Sequence, residues 1–322
     1  MKKFYIYLKN KFSYCENSYS RKNRLLSFDI IRRMGDGKER KWLKNVKFMI
    51  LALISILFVI PYVVNAESIT NNNGVVISEQ EYNDFLKIYS SDYIMNMSEA
   101  KYNKLKTLNF NDITTSTKYI ETTYNQNLQL TTEREVTEQE YNNYNPVMPL
   151  LDDGAASYET TMKKLVMSIV GGTTWNYATV VATWKAIPST RSYDLIGFYG
   201  YGFEFSDGTQ GGEQVYILNG AYNEISYAWN GTNIQKHSNG FGISMNIVNS
   251  DITYLQLIAD VDVKATVDHP TLYASYQHAQ RELSLEDSQS YTLGGSGLGS
   301  VFIFPYSISQ KYDAMSGVYV GY

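Results

Sequence analysis

The chain has 322 residues, with 28 Lys and Arg against 32 Asp and Glu, a formal net charge of −4, and 14% aromatic residues. Residues 1–47 hold 14 of the basic side chains against 4 acidic ones, whereas residues 67–322 hold 14 basic against 28 acidic, a net of −14. So acidic a body repels phosphate backbones and anionic headgroups, which argues against nucleic acid as a partner. The single cysteine, Cys15, precedes that body, so thiol catalysis, thiolate metal sites and disulfides are excluded from 67–322.

Residues 48–64 carry no charge and follow the basic run Lys38, Arg40, Lys41, Lys44 and Lys47. Seventeen residues is the short end of the ~17–25 that span a bilayer as a helix. Val64-Asn65-Ala66 places small or modest side chains where a signal peptidase reads, and Pro61 just upstream breaks the helix. Residues 1–66 therefore read as a leader with a signal peptide, cleaved after Ala66. Left uncleaved, the same stretch is an anchor with its basic side in the cytoplasm. Both readings export 67–322, so the expected location is secreted or on the extracellular surface, with membrane contact only through the leader. A start at Met34 would give a signal of 33 residues, nearer the ordinary length, which makes Met34 the expected initiator.

Residues 67–147 read as a small α+β appendage. Three heptapeptides recur in it: Ile77 to Asn83, Met97 to Asn103 and Val136 to Asn142. In the first and third, Ser78 or Thr137 accepts from the first-turn amides while Glu81 or Glu140 reaches back, a capping box. The apolar residue before each cap and the Tyr five positions later close over the turn as a staple. The middle copy keeps Ser98 and the staple but has Lys101 where the box needs Glu. The first helix continues through Tyr82, Phe85, Leu86 and Tyr89 on one face. A Thr-rich alternating pair, 114–124 and 127–136, predicts a hairpin turning at Asn125-Gln126. Pro146 and Pro149 open a linker through Gly154.

From Tyr158 the period changes to two. Leu165, Met167 and Ile169 alternate up to Gly171-Gly172, and 173–186 returns as a second strand, with the glycines expected to supply a tight turn's positive φ. Phe241, Ile243, Met245 and Ile247 alternate with small or polar residues. Leu255, Leu257, Ala259, Val261, Val263 and Ala265 face one way, and Gln256, Asp260, Asp262 and Lys264 the other. Further strands are expected at 193–205, 213–218, 223–229, 271–281 and 300–304. The fold class is thus mainly β: an antiparallel β-sandwich over 148–322 with a small N-terminal α+β appendage and an N-terminal signal or anchor helix. A closed barrel is the alternative.

The Glu-x-Glu-Tyr-Asn helix starts, the Thr-rich hairpin, and Trp184 with Pro188-Ser189-Thr190-Arg191-Ser192-Tyr193-Asp194 resemble exported proteins of Gram-positive bacteria whose function is uncharacterised. The resemblance covers most of 77–322, implies export and a β-rich C-terminal half, and transfers no catalytic residue.

No catalytic or metal-binding set and no cofactor emerges from the residues. His237, His269 and His278 lack the close spacings of metal sites, so His278 is expected as a packed or solvated imidazole. Gly294 to Gly299 precedes a strand-like run rather than a helix, which fits a bend and not a phosphate loop. Glu204, Asp207 and Glu213 lie around one expected turn at Asp207-Gly208 and are the candidates for a hydrolase. Asp260 and Asp262 share a face and could hold Ca²⁺ weakly, or simply solubilise it.

The strongest binding candidate is the aromatic stretch Gly197 to Phe205, in which Tyr199, Tyr201, Phe203 and Phe205 form one face at period two. Exposed phenol rings near carboxylates recognise sugars or partner side chains, which nominates Tyr199, Tyr201, Phe203, Glu204 and Asp207. The bland reading places this row in the core, with the glycines opposite allowing close approach. The expected function is an exported, non-catalytic surface recognition or adhesion module for glycan or protein. The alternatives are a secreted hydrolase and, from the Thr-rich hairpin, a membrane-active β-protein.

Overall fold

The computed structural model describes residues 68–125, 130–144, 159–294, 301–313 and 316–321. The expected leader and signal helix, the 145–154 linker, the Gln126 end of the Thr-rich turn and residues 295–300 lie outside them. All described residues belong to one compact unit, 66–322.

A short pair, β1 (Ser68–Thr70) and β2 (Val76–Ser78), leads into helices α1 (Glu79–Phe85), α2 (Ser91–Asn96) and α3 (Glu99–Leu105). Strands β3 (Asn109–Tyr124) and β4 (Leu130–Val136) precede α4 (Glu138–Asn143). Then come β5 (Glu159–Gly171), β6 (Asn176–Trp184), β7 (Tyr193–Tyr201), β8 (Phe203–Phe205), β9 (Gly211–Leu218) and β10 (Ala221–Tyr227). The chain continues through β11 (Ile234–His237), β12 (Gly240–Asn246), β13 (Ile252–Ala265) and β14 (Thr271–Gln277). Short pieces close it: α5 (Leu285–Ser288), β15 (Thr292–Leu293), β16 (Phe302–Ile303), α6 (Tyr306–Ser309) and β17 (Ser316–Gly321).

Two antiparallel sheets stack on one core. The larger runs β10-β9-β13-β6-β5-β3-β4, with β8 also on β13, and the smaller runs β11-β12-β7-β14-β17. The two-residue rhythm decides which side chains meet: Leu255, Leu257, Ala259, Val261 and Val263 of β13 lie in one cluster with Ile196, Phe198, Phe241, Ile243, Leu272 and Ala274. Each fully buried side chain of this kind contributes roughly 1.5–3 kcal/mol of transfer energy. Both outer faces are also covered. Tyr177, Val181 and Ile258 of the larger sheet pack under Phe85, Tyr89, Tyr93 and Leu105 of the helices and their linkers. Leu195 of the smaller sheet packs under Tyr291, Val301, Phe302, Ile308 and Tyr312.

The capping boxes form as the heptapeptides predict. Glu81 N donates to Ser78 Oγ at 3.2 Å and Ser78 N to Glu81 Oε2 at 2.9 Å, and Thr137 and Glu140 repeat the arrangement at 3.2 and 2.7 Å. The Thr-rich hairpin reaches further than its local pattern suggests, because β3 pairs along β5 and makes β3 and β4 strands of the larger sheet.

Three local expectations are corrected. Gly171 and Gly172 are not among the positive-φ glycines, and the last β5–β6 pair is Val170 with Tyr177, so the turn is wider than a two-residue hairpin. These glycines are needed for space instead: a Cβ on Gly172 would stand 2.0 Å from the Trp175 carbonyl oxygen. The strand expected over 193–205 breaks at Gly202 (φ +71°), where the chain leaves the smaller sheet and joins the larger as β8. Finally, the turn expected at Asp207-Gly208 is present but joins no hairpin, since β8 and β9 lie one after the other along the same β13 strand. The tight hairpin lies further on, at Asn219-Gly220, whose φ angles of 52° and 78° join β9 to β10 through two residues.

Candidate functional site

The bend at Gly202 divides the aromatic stretch. Upstream of it, β7 pairs with β14 so that Tyr199 stands opposite Tyr273, and Tyr273 stands opposite Tyr319 of β17. Their alternate neighbours Phe198, Leu272, Ala274, Val318 and Val320 fill the core, so the three phenols share the outer face of the smaller sheet. Ring centroids lie 6.0 Å apart for Tyr199–Tyr273 and again for Tyr273–Tyr319. Tyr199 and Tyr273 rest on the outer cluster, whereas Tyr201 is 64% and Tyr319 56% exposed.

Downstream of Gly202 the face is lost. Phe203 is buried and Phe205 packs against the core, so Phe203 is core rather than ligand platform. Glu204 is exposed opposite Lys264 on the larger sheet, and Asp207 is exposed and bound to Lys236 at 2.9 Å. Of the five expected binding residues the fold keeps Tyr199 and Tyr201 together and sends the other three elsewhere. Tyr273 and Tyr319 take their place. Their sequence signal is an aromatic between core-facing aliphatics, Leu272-Tyr273-Ala274 and Val318-Tyr319-Val320, but only pairing through β14 makes these a row.

The candidate hydrolase carboxylates do not converge. Glu204 faces Lys264 and Glu213 faces Ile258 on the same strand. Six residues of strand separate them by about 20 Å, against the roughly 5–10 Å of a glycosidase pair. Glu213 instead belongs to an ionic cluster beneath the helices. Tyr93 Oη donates to Glu213 Oε2 at 2.5 Å, and Lys101 Nζ reaches Glu213 Oε1 at 3.2 Å and Asp260 Oδ2 at 2.7 Å. Lys104 adds a contact to Asp262 at 3.2 Å, so the pair considered for Ca²⁺ is neutralised by lysines of α3. Burial opposes the charge on Asp260, yet Lys101 and Lys104 outweigh it and hold its carboxyl below the ordinary range. Burial pushes Glu213 up.

A second polar cluster is wholly interior. Asp194 accepts from Tyr276 Oη, from Ala279 N at 2.9 Å, and lies 3.0 Å from His278 Nδ1. Trp184 Nε1 donates to Tyr276 Oη at 2.9 Å, and Lys163 Nζ meets Asp313 Oδ2 at 2.5 Å. His278 is thus packed, as one of the two expected readings had it. All these side chains are buried, so the cluster ties strands together and offers a ligand no entry.

The described surface also carries a groove of about 670 Å³ where β7 begins and β12 stops, facing the β10 edge. Arg191, Tyr193, Tyr227, Asn233, Asn249 and Glu282 are among its lining residues. Sequence patterning could not find it, because its residues come from five separate segments.

No family model matches the sequence, and no curated protein matches it. Among solved structures, the Clostridium perfringens NetB toxin in its membrane-inserted form matches over 36% of this chain and 78% of the toxin chain, at 7% identity and a TM-score of 0.17. So slight a likeness carries no argument about this chain.

Proposed function

We propose that residues 67–322 are exported and act as a non-catalytic recognition module that holds a glycan against the row Tyr201, Tyr199, Tyr273 and Tyr319. The carrying observation is the row itself: phenol rings 6.0 Å apart on one sheet face, flanked by Tyr201 and Tyr319 with more than half their surface open. Such rings offer apolar faces to the CH side of a sugar and hydroxyls to its edge, at little conformational cost. The distance between Glu204 and Glu213 supports recognition over hydrolysis. The signal-like leader and the resemblance to exported Gram-positive proteins support the location. The test is a glycan array read with the 322-residue chain and with Tyr201→Ala/Tyr319→Ala. Binding that the double substitution weakens about tenfold, at unchanged unfolding, supports the reading. Equal binding by both chains, or turnover of a glycan, overturns it.

A further inference from the structure

The groove at the start of β7 is built rather than incidental. Its two walls are pinned by Gln214, which is fully buried: Nε2 donates to Asn246 O at 2.9 Å and to Tyr227 Oη at 3.2 Å, and Oε1 accepts from Val248 N at 2.9 Å. The Asn219-Gly220 turn fixes the register of the hairpin that brings Tyr227 to the wall. At about 670 Å³ the groove falls within the roughly 300–1,000 Å³ of small-molecule sites.

Arg191 sets its chemistry. The guanidinium is oriented by neutral acceptors alone: Nη1 donates to Val248 O at 3.2 Å and to Ser250 O, and Nε to Pro188 O at 3.4 Å. Among the described residues no carboxylate meets it, and Nη2 makes no hydrogen bond. In a body with twice as many acids as bases, a half-buried arginine without an acid partner is an unspent positive charge. Two donors of Nη2 remain for an anion. Tyr193 and Tyr227 line the groove with rings, and Asn249 and Asn233 line it with amides, the Asn233 Nδ2 being held by Ser244 O at 2.7 Å so that its oxygen is the free end.

We infer that this groove binds a short saccharide bearing a carboxylate, with Arg191 meeting the carboxylate and Tyr193 and Tyr227 lying against the sugar. Glu282, exposed on the same lining, opposes the anion and disfavours ligands whose carboxylate lies at its end. The site is distinct from the tyrosine row, since Tyr193 and Tyr199, the nearest row member on β7, stand six residues apart, about 20 Å.

Calorimetric titration of the 322-residue chain with sialyllactose, and with lactose as the uncharged control, tests the inference. Sialyllactose binds at least about tenfold more tightly than lactose, and added salt narrows the gap. Arg191→Gln loses that preference. Because Arg191 also braces the Val248–Ser250 loop, Glu282→Gln is the second variant: it removes an exposed repelling charge and tightens sialyllactose binding a few-fold. Repeated on the Tyr201→Ala/Tyr319→Ala chain, in which the tyrosine row is disabled, the titrations keep the preference for sialyllactose over lactose, so failure here and failure of the tyrosine row are separable. No heat from sialyllactose up to about 10 mM, equal affinity for the two sugars, or an unaltered preference in a folded Arg191→Gln chain overturns the inference.

Discussion

Lys101 Nζ lies 2.7 Å from Asp260 Oδ2, joining the first turn of α3 to the outer face of β13. Lys101 occupies the position that carries the reaching-back glutamate in α1 and α4, so the departure from the capping box is what docks the helix layer. The same ammonium reaches Glu213 at 3.2 Å, and because all three side chains are largely out of water, removing one partner leaves the others as poorly solvated charges.

Lys101→Glu therefore destabilises the chain, although it completes the capping box at Ser98. A reciprocal cap is worth about 0.5–2 kcal/mol, whereas leaving Asp260 and Glu213 beside a third buried carboxylate costs more than the roughly 3–5 kcal/mol of an orphaned buried charge. Lys101→Met, which orphans the acids without adding one, is the milder change. Urea unfolding of the two variants gives the order directly.

The acids of this cluster respond to pH with opposite signs. Asp260, held below the ordinary range, stabilises the fold above its unfolded value, and that stability is lost as pH falls through the folded value. Glu213, pushed up by burial, favours the fold when protonated, and that advantage is lost as pH rises through its folded value. At neutral pH Asp260→Asn is thus expected to cost about 3 kcal/mol and Glu213→Gln clearly less. Below the carboxylate range the Asp260→Asn deficit shrinks. Urea midpoints between acid and neutral pH measure both.

Gly202 and Gly220 both need positive φ, but only Gly202 is also crowded. A Cβ there would meet Val267 at 2.2 Å, while Gly220 opens onto empty space. Gly220→Ala should cost about 1–2 kcal/mol of backbone strain. Gly202→Ala adds a steric clash at the crossing between sheets, and is expected to cost more and to disturb Tyr201. Calorimetric melting separates the two.

Tyr276→Phe removes the hydroxyl that joins Trp184 to Asp194 in the interior and is expected to cost about 1–3 kcal/mol. Tyr201→Ala and Tyr319→Ala, at the surface, should stay within about 0.5 kcal/mol of the parent chain. Should Tyr201→Ala unfold the chain, the row would be a packing element and not a binding face.

The sequence by itself determined what depends on near neighbours. The capping boxes at Ser78 and Thr137 are closed by residues three apart, and the alternation through Leu255 to Val263 assigns a core face before any partner is known. The acidic body and its lack of cysteine were equally plain. Tertiary structure alone decided which faces meet. Tyr199, Tyr273 and Tyr319 become neighbours through strand pairing across 120 residues of chain. Phe203 moves from the aromatic row to the core because Gly202 turns the chain into the other sheet, and Lys101 finds its acids on strands more than a hundred residues away. Periodicity records which way a side chain points relative to its own strand. It holds no record of which strand will lie beside it, and binding surfaces and buried charge pairs are made from those lateral choices.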